Sequence, residues 1–144
     1  MSRLPAREVV EAIASGFTEF PTPLRDEPAD GPIGWPGYRE ARAAAEERTG
    51  EKESVVCGTA KIGDVEAVLI AFEFGFLGGS LGQRTGDRIE AAFAHARDAR
   101  LPVVSLIATG GSRMQQGMRA LMQLQRVARA AALTRAAGIP QVSV

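Results

Sequence analysis

Cysteine and histidine are almost missing from this chain of 144 residues, which has one of each, Cys57 and His95. A single cysteine excludes an intramolecular disulfide and any multi-cysteine zinc site. With one histidine besides, a metal site would have to be mostly carboxylate; no such cluster stands out, and zinc is not expected. Long apolar runs are also lacking. Nothing approaches the roughly 20 residues of a membrane helix, and the charged, amphipathic N-terminus has no signal-peptide core. The expectation is a cytoplasmic protein without a membrane partner. The formal net charge is zero, so charge provides no reason to expect nucleic acid or an anionic membrane. Acids are absent from residues 113–144, which hold five arginines (113, 119, 126, 129, 135). The preceding stretch therefore carries a formal −5. Such a basic tail is either a solvated helix face or a surface for phosphates or an acidic partner.

What is present suffices for one ordinary core, with 45% apolar and 24% charged residues. Residues 2–16 can start as a helix, with Pro5 in its first turn, Val9, Val10 and Ile13 on one face, and Gly16 as a stop. Five prolines and three glycines make residues 20–38 a loop, in which Trp35 is expected to pin the loop to the body. Residues 39–48 are helical, with Gly50 as C-cap. Residues 54–62 and 65–72 read as strands of a hairpin around Gly63-Asp64, with Cys57 as a small core residue. A helix follows to about residue 100, its stripe formed by Ile89, Ala92, Phe93 and Ala96. Residues 101–109 predict a strand covered on both faces. Residues 114–137 predict the longest helix, stopped by Gly138 and Pro140, and 141–144 start another strand. The order implies mixed α/β architecture. The strand start at the end of the chain is read as the front part of something larger.

Two glycine-rich turns follow apolar strands, at residues 76–82 (FLGGSLG) and at Gly110-Gly111-Ser112. Successive N–H groups at a strand-to-helix turn can hold a negative oxygen. The glycines could equally serve only a tight turn and close packing. Competing motifs fail: the glycine spacing after residue 78 is not a dinucleotide fingerprint, and no phosphate-loop lysine precedes a Ser or Thr. His95 falls mid-helix and forms no catalytic triad. Met114, Met118 and Met122 recur at core or interface spacing. Gln115 and Gln116 are neither acids nor bases, so the second turn has no general base of its own.

These residues carry a resemblance. FEFGFLGGSLG at 72–82, GDRI at 86–89 and TGGSRMQQG at 109–117 resemble the carboxyltransferase component of biotin-dependent acyl-CoA carboxylases. The likeness is to the β-type, N-terminal half of the acetyl-CoA carboxylase enzyme; it runs from about residue 38 to 144. Residues 31–38 (GPIGWPGY) resemble forms in which a β-like front half precedes an α-like rear half. The resemblance implies a crotonase/ClpP-like spiral of ββα units, of which the chain would hold only the front part. It divides the chain into residues 1–38, a helix and a Pro/Gly-rich loop, and residues 39–144, a truncated crotonase-like domain. It implies transfer of carboxyl from carboxybiotin to the α-carbon of acetyl-CoA or propionyl-CoA. The enolate would be held by main-chain N–H groups at Gly78, Gly79, Gly111 and Ser112, with Gly110, Arg113 and Gln116 as cofactor contacts. It also implies a biotin carboxyl carrier protein, an α-type half or subunit and an oligomer, because the hole for biotin belongs to the α-type half. Ser112 stands where the family usually has alanine, which leaves the N–H intact, and Gln116 where it usually has glutamate. The zinc ribbon of bacterial β subunits is absent. A malonate decarboxylase subunit and a non-catalytic interaction module are the alternatives; the run Arg113-Met114-Gln115-Gln116-Gly117 favours the carboxylase.

Overall fold

Apolar residues alternate along two neighbouring strands, and that alternation builds the sheet. The computed structural model describes residues 4–144, so the expected helix-start positions Ser2 and Arg3 lie outside the described residues. Strands β2 (Val55–Ile62) and β3 (Val65–Phe72) pair antiparallel in unbroken register from Val55↔Phe72 to Ile62↔Val65. Val55, Cys57, Val68 and Ile70 face one side. Val56, Ala60, Leu69 and Ala71 face the other, as a period of two requires. Three further strands, β1 (Ser15–Glu19), β4 (Val103–Leu106) and β5 (Gln141–Ser143), complete a sheet of order β1-β2-β3-β4-β5. β1 joins β2 antiparallel, whereas β3, β4 and β5 run parallel. Parallel neighbours need crossover connections. The crossovers here are α3 (Gln83–Ala99) and α4 (Met118–Ala136).

Both crossover helices cover the side that includes Val55 and Ile70, packing Ile89, Ala92, Phe93, Ala96 and Ala130 into it. The other side is covered by α1 (Ala6–Ile13) through Ala6 and Val10. A last helix, α2 (Tyr38–Thr49), ends on Gly50 in the left-handed conformation, with the Gly50 N–H bonded to Glu46 O.

Four expectations change. Gly16 does not merely stop a helix: α1 ends at Ile13, and Ser15–Glu19 adds an edge strand to β2. Its residues are mostly exposed and its register slips between Ser15 and Thr18, so no apolar alternation marked it. β4 is shorter than residues 101–109. Leu101 is still bonded to the end of α3 through Ala96 O, and the strand proper stops at Leu106. Only Val103 of β4 is fully buried and Ile107 beyond it is exposed, so the strand is covered incompletely. The longest helix does not begin at Met114. A single 3-10 turn, Met114–Gln116, is followed by Gly117 at φ +56 and ψ −139, a conformation that a helix cannot contain. Trp35 is 42% exposed, whereas Tyr38 at the end of the proline-rich loop is fully buried and pins it. The Tyr38 ring occupies the space a Cβ on Gly31 would need, 2.8 Å away.

Candidate functional site

The two glycine-rich turns are joined backbone to backbone. Gly110 N–H donates to Gly78 O at 2.9 Å, Leu81 N–H to Gly111 O at 2.8 Å, and Arg113 N–H to Leu81 O at 2.9 Å. Together they form a parallel bridge between Leu81 and Ser112 just beyond the end of the sheet. Gly79 lies against the second strand's exit: a Cβ there would stand 2.0 Å from Ala108 O, and its φ is +64. Only glycine meets both conditions.

Main-chain donors in the two turns divide sharply. Gly79 N–H is spent on Phe76 O at 3.0 Å and Gly110 N–H on Gly78. Gly111 N–H is spent on Thr109 Oγ1 at 3.0 Å. The N–H groups of Gly78 and Ser112 have no partner among the described residues, and both residues are half-buried. The second turn does not run directly into a long helix, because Ser112 is separated from α4 by the 3-10 turn. Any attraction for an oxyanion at Ser112 therefore comes from the local N–H groups, since dipole effects fade within a helix's first turn.

Beneath the turns lies a buried polar cluster. The Arg113 side chain is fully buried and ion-paired with Glu53, itself 1% exposed. Its guanidinium also donates to Ser80 O at 2.8 Å, Ser80 Oγ at 3.1 Å, Ser54 Oγ at 3.2 Å and Tyr38 Oη at 3.3 Å. Burial alone would raise the Glu53 carboxyl, but the charge and hydrogen bond of Arg113 outweigh it and hold Glu53 below its ordinary range. For Arg113 burial pulls downward, and Glu53 likewise wins and raises it. Gln116 sits alongside. Its Oε1 accepts the Gln83 N–H at 2.7 Å, capping α3, while its amide NH2 donates to Glu27 at 2.8 Å and Tyr38 Oη at 2.9 Å.

Gly110, Arg113 and Gln116 were expected to contact a cofactor. The structure places them differently. The Gly110 N–H is consumed by Gly78, and the Arg113 and Gln116 side chains are buried and fully engaged inside the chain. All three hold the turns together. Gln116 in place of glutamate also has a physical reason: only an amide can donate to the Glu27 carboxylate while capping α3. Glu53, Tyr38, Glu27 and Thr85 were not anticipated. The one hint in the sequence is Glu53-Ser54, a polar pair directly before an apolar strand.

Elsewhere the residues singled out are ordinary. Cys57 is buried and its thiol is pushed up to about 12 by burial, as befits a core residue. His95 is exposed and packs at a tilt of 43° against Phe20, with ring centroids 4.6 Å apart. Met114, Met118 and Met122 are all exposed, so none is in the core of this chain. Within the basic tail Arg113 is buried, and Arg126 bridges Asp87 at 2.8 Å and also pairs with Glu90. Among the described residues no group of three or more His, Cys, Asp or Glu is placed to hold a metal ion. No described helix is long and apolar enough to cross a membrane.

A mixed sheet with ββα connectivity and two stitched glycine turns defines a crotonase-like carboxyltransferase fold. The carboxyl transferase domain matches residues 36–144, and the chain belongs to that family. It is 37% identical over 131 residues to acetyl-coenzyme A carboxylase carboxyl transferase subunit beta 2 of Lachnospira eligens, covering 91% of this chain and 50% of that protein. It is 44% identical over 107 residues to the subunits beta/alpha protein of Salinispora tropica, covering 74% of this chain and 19% of that one. The chain thus spans about half the length of the first relative and a fifth of the second. The transcarboxylase 12S structure superposes with a TM-score of 0.75 at 21% identity, covering 96% of this chain and 25% of that one.

Proposed function

We propose that this chain is the acyl-CoA-binding part of a biotin-dependent carboxyltransferase, acting on acetyl-CoA or propionyl-CoA. The observation that carries the reading is the pair of unspent N–H groups at Gly78 and Ser112, on two turns held together by Gly110, Leu81 and Arg113. When the α-carbon of a thioester loses its proton, negative charge moves onto the thioester oxygen. Two preorganised donors in a partly dry site stabilise that charge, each by about 3 kcal/mol at comparable sites. Gly79 and Gly111 shape the hole rather than line it, since their own N–H groups are already bonded. Biotin borne on a carrier protein would supply the carboxyl group and, as its ring nitrogen gives that group up, would take the α-proton in exchange, so that no acid or base of this chain is required. The residues facing biotin come in this reading from an α-type half. A relative whose name joins beta and alpha subunits in one protein supports that arrangement. Gly110, Arg113 and Gln116 act by holding the turns in place.

The test mixes the full chain with a candidate α-type half and follows decarboxylation of malonyl-CoA in the presence of free biotin. Turnover only with both partners is the expected result; no acyl-CoA binding in any mixture would sink the reading. Ser112→Pro removes an N–H that no internal acceptor uses, and turnover should fall by about a hundredfold or more. Ser112→Ala keeps that N–H and should stay within about twofold of the parent, as its main-chain donor is intact. Equal activity in a folded Ser112→Pro variant would remove Ser112 from the hole.

A further inference from the structure

Each unspent N–H in the two glycine-rich turns belongs to a peptide group whose other end is already held. In a trans peptide the C=O and N–H point in opposite directions, and among the described residues none is cis. The Ser112 N–H shares its peptide with Gly111 C=O, which accepts the Leu81 N–H at 2.8 Å. The Leu81 N–H in turn shares its peptide with Ser80 C=O. That oxygen accepts from the Ser54 hydroxyl at 2.7 Å and from the Arg113 guanidinium at 2.8 Å. Two buried donors therefore stand at the head of a line of two peptide groups, and the Ser112 N–H is its open end. The Gly78 N–H has a shorter line behind it. Leu77 C=O, in the same peptide, accepts the Ser80 N–H at 3.3 Å within the turn. That N–H lies on the other side of Ser80 from the carbonyl that Ser54 and Arg113 hold.

The line has a direction. A hydrogen bond accepted by a peptide oxygen draws electron density toward that oxygen and leaves the N–H of the same group a stronger donor. Arg113 brings a buried positive charge to the head of the line, offset in part by Glu53. Ser54 adds its pull without a charge. A carbonyl can only accept, so the Ser54 hydroxyl proton is committed to Ser80 O, while the Ser54 oxygen accepts from Arg113 at 3.2 Å. Ser54 is fully buried and lies outside both turns. We propose that Ser54 is a positioning residue for the carboxyl transfer. With Arg113 it acts through the Ser80–Leu81 and Gly111–Ser112 peptides to aim and polarise the Ser112 N–H toward the thioester oxygen. This role rests on the reading of the two turns as an enolate hole; the hydrogen-bonded line itself does not.

Ser54→Ala removes one donor at the head of the line and leaves Arg113, Leu81 and both turns in place. The first measurement is decarboxylation of malonyl-CoA by the full chain with an α-type half and free biotin. There kcat should fall about tenfold, less than the roughly hundredfold for losing a donor outright, because the Ser112 N–H is weakened and not removed. KM should stay within about twofold, since the stronger bond is needed only as charge develops on the oxygen. The second measurement needs no turnover. Amide nitrogen-15 resonances of the full chain report the polarisation of each peptide group, and Ser54→Ala should move those of Leu81 and Ser112 upfield and that of Gly78 less. Should Ser54→Ala fail to fold, Ser54→Cys, of similar size and only a weak donor, takes its place. An unmoved Ser112 resonance overturns the line. An unchanged kcat, or a KM that rises as much as kcat falls, overturns the role of Ser54 in the reaction. A parent chain that neither binds acyl-CoA nor turns over with the α-type half fails the reading of the site, and the resonances still decide the line.

Discussion

The two glycine-rich turns look alike in sequence, yet Gly79 of the first and Gly111 of the second stand in opposite surroundings. The first is packed. Gly79 is buried against the Ala108 carbonyl, and Phe76 lies fully buried below it with Arg113 5.6 Å above its ring centroid. The second is open. Nothing lies within 4 Å of where a Cβ on Gly111 would stand, and Gly110 meets only Gly78 O, at 3.3 Å. Both turns place glycine at positive φ, +64 at Gly79 and +98 at Gly111, but only at Gly79 is there also no room for a side chain. In the function proposed above, the packed turn, the wall, would fix the Gly78 donor and the open turn, the lip, would let the ligand reach the Ser112 donor.

The most severe way to break this comparison is to remove what holds the wall. Arg113→Met leaves Glu53 buried without its partner and should cost about 3–5 kcal/mol in equilibrium unfolding, with part of that recovered by adding Glu53→Leu. The pH response should also invert. In the parent, Glu53 is held below its ordinary 4.5, so the pair's contribution is complete above that value and is lost as the pH falls through the lowered one. In Arg113→Met the buried carboxyl titrates above its ordinary value instead, and the variant should gain stability as the pH falls. Gly79→Ala comes next. Its Cβ would meet a backbone oxygen at 2.0 Å in a left-handed conformation, for an expected loss of about 2–4 kcal/mol from strain and overpacking together. Thermal unfolding of the two variants measures both.

Much of the fold was legible because burial follows period. The hairpin register and the α3 stripe come from residues whose side chains meet the core, and the stop after α4 from Gly138, which takes a φ of +73. β1 was not legible because an exposed edge strand with a slipped register leaves no alternation. The start of α4 was misplaced because Met114, Gln115 and Gln116 are good helix formers, and only the conformation of Gly117 shows that the helix waits until Met118. At the site, the glycines announced two turns, and the Leu81–Ser112 bridge joins them. Their clamp was hidden for a different reason. Arg113 reaches Glu53 across 60 positions of sequence, and no local pattern reports a pairing of that range. Gln116 supplies a sharper test of the clamp. Gln116→Glu would set a second carboxylate beside Glu27, now 2.8 Å from the amide. It should cost about 2 kcal/mol near neutral pH. Mild acid or the added change Glu27→Gln should relieve that loss, and a variant as stable as the parent would show that the amide is not needed there.

Gly111→Ala probes the open turn by the same chemical change that tests the packed one. The added methyl meets nothing, and the Gly111 N–H contacts only the Thr109 hydroxyl, so the expense is confined to the positive φ. That strain is worth about 1–2 kcal/mol, and unfolding should register no more. Catalysis should suffer disproportionately, because relief of the strain rotates the peptide plane that carries the Ser112 N–H. A loss of turnover larger than the stability change, with acyl-CoA binding reduced less than kcat, would mark the second turn as the adjustable lip. A stability loss equal to that of Gly79→Ala would instead make both turns packing elements, and the contrast between wall and lip would disappear.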